Sequence, residues 1–391
     1  MKGDGAKVTK PLNDVLKFGG IWFDFDHLKY GTLLKWLNFL RHATAFVVWA
    51  IETSNLWFAG SSFILTESAI FIPIGFEELG FFVVIVSNMS TVNRVVGKYE
   101  EKIDRYSDTP WGKKIIDEEV RVFYKVFKLG KNSLVGFFIM YIVVPVSFDA
   151  IRAIAGLPPY LVPLPLNFLL GKQPERNYTY YTAIFVSYLF FAIIVPRFVA
   201  TQSLILFFVL FIVIDVRICI KKIQIMSGND HKGVGLQKEW DLKDIIDHHS
   251  QILDMVKREY NFIGFMLIAQ NGFIALVLCL LSYMMKTSLN AGDLILAVFC
   301  GTFEFQVMII SLLHNGAGYI VEKQSEDLAN ELYNTAWYKQ PPRIRKYVNT
   351  MIGQGVKMFN ISYHMSPANL EAYLQVLNKS YSFFALINSK V

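Results

Sequence analysis

Apolar residues in this chain come in long runs rather than in strand-like alternation. A helix needs about 20 apolar residues to cross a bilayer. Seven stretches approach or exceed that length: Leu37–Phe58, Phe63–Val86, Leu134–Ile154, Tyr180–Val216, Phe262–Met285, Leu294–Val321 and Pro367–Ile387. The first, second and last are the weakest of the seven, since they carry Arg41 and Glu52, Glu67, Glu77 and Glu78, and Glu371 and Lys379 respectively. Excluding the last would leave six. The pattern predicts an all-α, polytopic membrane protein with seven transmembrane helices.

Between the runs, two segments show helical rather than membrane periodicity. In Trp240–Tyr260 the apolar positions are Leu242, Ile245, Ile246, Leu253 and Val256; in Arg343–Phe359 they are Ile344, Tyr347, Val348, Met351 and Ile352. Both read as amphipathic helices. The segment 155–177 holds Pro158, Pro159, Pro163, Pro165 and Pro174, which forbid regular helix there. Pro145 and Pro196 fall inside the third and fourth runs and predict kinks.

Charge fixes the expected orientation. Lys and Arg accumulate before the first run, between the second and third, between the fourth and fifth, and before the last. The opposite side holds Lys172, Arg176 and Lys286, with Arg152 at a run's edge. Cytoplasmic loops retain basic residues. The N-terminus is therefore expected in the cytoplasm and the C-terminus outside. Asn177-Tyr178-Thr179 then makes Asn177 the expected glycosylation site.

Composition agrees: 53% of the 391 residues are hydrophobic and 18% charged, and the net charge is +6. Basic and acidic residues are interspersed, which excludes a nucleic-acid partner and leaves a lipid bilayer. Cys219, Cys279 and Cys300 sit in or beside apolar runs and read as buried thiols. No metal site, no cofactor site and no catalytic arrangement is expected, so no enzyme. His248-His249 reads as part of a solvated helix face. Asp149 and Arg152 read as a helix-local ion pair, and Glu304 and Arg197 as buried charges that pair or face water.

The last run has a sharp polar edge. Ser366 is the expected N-cap and Pro367 the first helical residue. At 100° per residue, Glu371, Gln375, Asn378, Ser382 and Ser389 share a sector of about 60° bordered by Lys379. Polar groups are costly against lipid. Two readings stand: a water-filled pore shared between subunits, or a polar seam inside one chain. Leu386, near the outer end of the sector, could close a pore by dewetting.

The final sixty residues carry a resemblance. Tyr333-Asn334-Thr335-Ala336-Trp337-Tyr338, then Arg345-Lys346, then Ser366-Pro367 through Ser380-Tyr381-Ser382-Phe383-Phe384-Ala385-Leu386, resemble the C-terminal signature of insect odorant receptors. The resemblance implies an odorant-binding subunit of a heterotetrameric, ligand-gated cation channel in the plasma membrane of a sensory neuron. It implies as partners a co-receptor subunit, a small volatile, and monovalent and divalent cations. The short segment from Arg217 to Asn261 resembles ligand-tuned subunits, since the co-receptor has a longer loop there. The division that follows is a cytoplasmic N-terminal segment (1–36), helices one to six with a ligand pocket (37–325), cytoplasmic anchor helices (326–365) and a pore-lining last helix (366–391). Pore candidates are Gln375, Lys379, Ser382, Leu386, Ser389 and Lys390.

Pocket candidates are residues of the outer half of the spans that share a helix face. They are Glu67, Phe71 and Ile74; Tyr141, Val144 and Phe148; Tyr181, Phe185 and Tyr188; and Phe299, Phe303 and Gln306. Ordinary interhelical packing is the competing reading for each. A G-protein-coupled-type chemoreceptor would place the N-terminus outside, against the charge count. A secondary transporter would show internal repeats, which the sequence lacks.

Overall fold

The computed structural model describes residues 3–21, 31–58, 62–159, 175–227, 239–357, 362–363 and 366–390. Eleven α-helices run through these residues: α1 (Asp4–Phe18), α2 (Gly31–Phe58), α3 (Ser62–Ser87), α4 (Met89–Ser107), α5 (Pro110–Ile154), α6 (Tyr178–Met226), α7 (Glu239–Asp254), α8 (Asn261–Asn290), α9 (Leu294–Asn334), α10 (Pro342–Lys357) and α11 (Leu370–Lys390). A π-helical turn, Met255–Glu259, joins α7 to α8, and a 3-10 turn, Trp337–Lys339, precedes α10.

The seven expected spans lie in α2, α3, α5, α6, α8, α9 and α11, and the fold is an all-α seven-helix membrane bundle. Among the described residues, α6, α8 and α9 are each long and apolar enough to cross a membrane, and the bent pair of α3 and α4 would make a fourth span. The others carry more charge and depend on neighbours to cover it. Helix α6 is the central staff: from Val199 to Val216 most side chains are buried, and α1, α2, α5, α7 and α9 pack around it.

Helices α5, α6 and α9, of 45, 49 and 41 residues, are about twice the length a bilayer crossing needs. The layer docked on them was legible only in part. The apolar faces expected for α7 and α10 are buried, with Leu242, Ile245 and Val256 on the first segment and Val348 and Met351 on the second. Helix α1 was not expected. Leu12 and Leu16 bury its inner face against α4 and α6. The chain leaves α1 through Gly20, whose φ of +73° suits glycine. A Cβ there would also meet Asn38 Oδ1, which lies beside the bond from Asn38 Nδ2 to the Gly20 carbonyl.

His248 and His249 do not form a solvated face; both are buried. The aqueous exposure expected from their polarity is overridden by α7 docking on α6. His248 Nε2 lies 3.4 Å from Asp215 Oδ1. Asp215 is fully buried and also takes Tyr99 Oη (2.8 Å) and Lys102 Nζ (2.8 and 2.9 Å). This knot ties α4, α6 and α7 together. Burial holds both histidines neutral: His248 is lowered from its ordinary pKa against the pull of Asp215, and His249 falls to about 4 by burial and its neighbour His248.

The last helix begins later than expected. Ser366–Pro367 forms a two-residue strand, β2, antiparallel to β1 (Ser362–Tyr363). Asn369, not Ser366, caps α11, its Oδ1 accepting from the Ala372 amide at 3.0 Å. Gly318 of α9 makes room for this junction. A Cβ at Gly318 would stand 1.8 Å from the Ala368 carbonyl oxygen, so any side chain there would push α9 away from the start of α11. Cys219, Cys279 and Cys300 are buried thiols outside any disulfide, as expected.

Candidate functional site

Where α3, α5, α6, α8 and α9 meet, they leave a cavity of about 70 Å³. Its walls follow from helical spacing. Helix α6 gives Phe190, Phe191, Ile194 and Phe198, the i, i+4, i+8 face that points inward. Helix α8 gives Gln270, Ile274 and Val277, and α9 gives Phe303, Gln306, Val307 and Ile310. Helix α3 adds Ile74, Gly75 and Glu77, and α5 adds Leu134. At 1.5 Å per residue, Phe303 to Ile310 lie about 14–24 Å from the first residue of α9. Measured along α9, that is close to the middle of a hydrocarbon core about 30 Å thick.

Above it lies an aromatic layer. Phe191 is packed by Tyr188, Phe299 and Phe303, with Ile184 and Val195 beside them. Ile74, Phe303 and Gln306 thus line the cavity, and Tyr188 and Phe299 cover it. Tyr181 and Phe185 are 58% and 68% exposed on α6 and turn away from it. Phe148 is half-buried near the end of α5 and does not line the cavity. The side chains of Glu67, Phe71, Tyr141 and Val144 lie outside the described residues.

Sequence reasoning passed over Glu77 and Gln270, which are buried in the cavity wall at 6% and 1% exposure. The signal was present, since polar residues within apolar runs mark sites in membrane proteins. Gln270 Nε2 donates to Gln202 Oε1 (3.3 Å), and Gln306 Oε1 accepts from Ser133 Oγ (3.1 Å). A second cavity of about 40 Å³ adjoins the first, sharing Leu134, Phe198, Gln306 and Ile310 and adding Gln202, Lys131 and His314.

The embedded charges find partners the spacing could not name. Asp149 Oδ1 receives Arg176 Nη2 at 2.8 Å, and Arg152 Nε donates to the Pro158 carbonyl at 2.8 Å. Glu304 Oε1 accepts from Ser282 Oγ at 2.8 Å. Arg197 is buried with its guanidinium against His42 Nδ1 and 4.9 Å from the centre of the Phe82 ring. Asn177 caps α6, its Oδ1 accepting from the Tyr180 amide at 3.0 Å, and the residue is exposed.

Helix α11 has two faces. Val376 and Ser380 are buried, and Val376 and Leu377 pack with residues of α3, α8 and α9. Glu371, Gln375, Asn378, Lys379 and Ser382 are all exposed on the single chain. The stripe is flanked by exposed Leu374, Phe383 and Leu386. A polar seam within this chain is thus not what the stripe forms. The side chains of Ser389 and Lys390 lie outside the described residues. Among the described residues no cluster of side chains suits a metal ion.

Comparison with known proteins gives a consistent answer. The family described as 7tm Odorant receptor matches residues 82–381. Odorant receptor 13a of Drosophila melanogaster is 23% identical over 321 residues, 75% of this chain and 73% of that one. Odorant receptor Or2 of Anopheles gambiae is 24% identical over 41% of this chain, and the match spans 42% of its own length. Among solved structures, the insect olfactory receptor OR5 from Machilis hrabei in complex with eugenol superposes with a TM-score of 0.72. That superposition covers 99% of this chain and 100% of that one at 11% identity, a likeness of fold.

Proposed function

Because the chain belongs to the 7tm odorant receptor family, we propose that it is the odorant-binding subunit of a heteromeric, ligand-gated cation channel. A small volatile binds in the mid-depth cavity, and α11 lines a pore shared with a co-receptor subunit. The N-terminus is cytoplasmic and the C-terminus outside, in keeping with the basic loops. The relative OR5 has been captured with eugenol, which supports a small organic ligand for this chain.

The observation that carries the channel reading is the exposed stripe on α11. A helix that crosses a bilayer with Glu371, Gln375, Asn378 and Ser382 exposed needs water or another subunit beside that face. Its apolar flanks, Leu374 and Phe383, suit contact with neighbouring subunits. Gln375, Lys379, Ser382 and Ser389 then line the pore, Leu386 narrows it, and Lys390 stands at its mouth. Ile74, Phe303 and Gln306 form pocket walls under Tyr188 and Phe299.

The test is cysteine scanning from Glu371 to Ser389 in cells co-expressing a co-receptor, with a charged thiol reagent applied during odorant-evoked current. Block should recur at positions 371, 375, 378 and 382 and spare Val376 and Ser380. Leu386→Ala should raise basal current. Reagent-insensitive currents at every position would end the pore assignment.

A further inference from the structure

The cavity wall is apolar apart from a few groups, and these are not all matched. Glu77 Oε1 and Gln270 Oε1 have no hydrogen-bond partner among the described residues, although both residues are more than nine-tenths buried. The Gln270 amide nitrogen donates to Gln202 Oε1, which leaves the Gln270 oxygen and the Gln202 nitrogen unmatched. The opposite setting of both amides would leave an N–H on Gln270 instead, and a hydroxyl, able to donate and accept, serves either setting. Gln306 differs, because its oxygen already holds Ser133. A buried acceptor without a donor carries its full desolvation penalty; other buried polar atoms of the bundle are unmatched too, Ser288 Oγ among them, but Glu77 and Gln270 bring theirs to the wall of one cavity.

We propose that the cavity binds a small, uncharged molecule with an apolar body and a hydroxyl group, the hydroxyl donating to Gln270 Oε1. This rests on the reading of the cavity as the ligand site. The chemistry discriminates among classes. A hydrocarbon leaves both acceptors bare. An aldehyde or ketone brings an acceptor and no donor for Gln270 Oε1. A carboxylate sets a second acid beside Glu77. An ammonium ion could approach Glu77 but must leave water for a wall of Phe190, Phe191, Phe198 and Ile274. A hydroxyl supplies the missing donor at little desolvation cost, and the phenylalanines hold the body. The present volume is of the order of a few water positions, at about 10–15 Å³ each. Binding therefore requires a compact ligand and some turning of the aromatic layer at Phe191 and Phe299.

Four ring compounds of matched size test this on the purified full-length chain in detergent: benzyl alcohol, benzaldehyde, ethylbenzene and benzylamine. Affinity is read from ligand-dependent thermal unfolding. Benzyl alcohol should bind up to about tenfold tighter than ethylbenzene, the size of one net hydrogen bond, and tighter than benzaldehyde. Gln270→Leu should weaken benzyl alcohol by that factor and leave ethylbenzene unchanged or tighter. Equal binding of the four, no binding by any, or a preference for benzylamine overturns the proposal; the last would indicate a cation paired with Glu77. Should Gln270→Leu fail to fold, the ranking on the parent chain decides alone. Ile274→Trp, which fills the cavity, separates the two levels. If it leaves benzyl alcohol binding intact, the cavity is not the ligand site. If it abolishes binding while the four compounds rank alike on the parent, the site stands and the hydroxyl assignment falls.

Discussion

Asp215 and Gln270 are both polar residues deep in the helix bundle, and the fold treats them in opposite ways. At the basic end, Asp215 is enclosed by Tyr99, Lys102 and His248, so its carboxylate oxygens are held by partners on two neighbouring helices, α4 and α7. At mid-depth, Gln270 keeps its oxygen unmatched beside a cavity, and Glu77 does the same from a neighbouring helix. The first arrangement maximises satisfied contacts and fixes how α4, α6 and α7 sit together. The second leaves contacts unmade where a guest can make them. Stability and binding are thus allotted to different levels of one long helix, α6, which contributes Asp215 to the knot and Phe190 to Phe198 to the cavity.

If that division is right, breaking the knot should cost far more than altering the cavity. Lys102→Met strands the buried Asp215 charge and should destabilise the chain by roughly 3–5 kcal/mol, the usual penalty for removing one partner of a buried pair. Thermal unfolding in detergent measures it. Replacing both charges, with Asp215→Leu added, should recover much of the loss. A Lys102→Met chain as stable as the parent would dissolve the contrast.

Next in size is an effect on binding alone. Val307→Phe intrudes on the cavity and should reduce odorant sensitivity by about tenfold, or roughly 1.4 kcal/mol, at unchanged surface abundance. Overpacking that also removes the protein from the surface would show the cavity to be structural.

Acidification gives a smaller, directional effect at the knot. The unfolded chain titrates His249 near its ordinary value of about 6.5, whereas the folded chain holds it neutral down to about 4. Its folded pKa is depressed, so the stability it contributes is present above about 6.5 and is lost as pH falls towards 4. His248 adds in the same direction. Between pH 7.5 and 5.5, His249 should cost on the order of 1 kcal/mol. Hydrogen exchange in α7 should quicken at the lower pH, and His249→Gln should blunt the change. Smallest of all, Gln270→Leu should alter stability by less than about 1 kcal/mol. A loss as large as that of Lys102→Met would mean that Gln270 belongs to the scaffold.

Much of this architecture can be read from the chain. The seven apolar runs become seven long helices, and the polar edge of the last one is exposed where a 100° step places it. Periodicity shows which residues share a face, but it does not show what covers that face. For that reason His248-His249 looked solvated when α7 in fact lies against α6; α1 went unnoticed although Val8, Leu12 and Leu16 give it an apolar stripe as regular as those of α7 and α10. The start of α11 shifted from Ser366 to Leu370 because the β1–β2 pairing took the serine and proline that would otherwise have capped it. Asp149 found Arg176 across a loop rather than through its own helix alone. The cavity depended on five helices meeting, so single-helix faces could identify Ile74, Phe303 and Gln306 but not Phe190, Phe198 or Gln270.

The most direct test is a structure determined with an activating volatile bound. Ligand density should be enclosed by Phe190, Phe303, Ile274 and Val307, with a polar atom within hydrogen-bonding distance of Gln270 Oε1. Density lodged instead along the exposed Tyr181 and Phe185 face of α6, with the mid-depth cavity unchanged, would contradict the account.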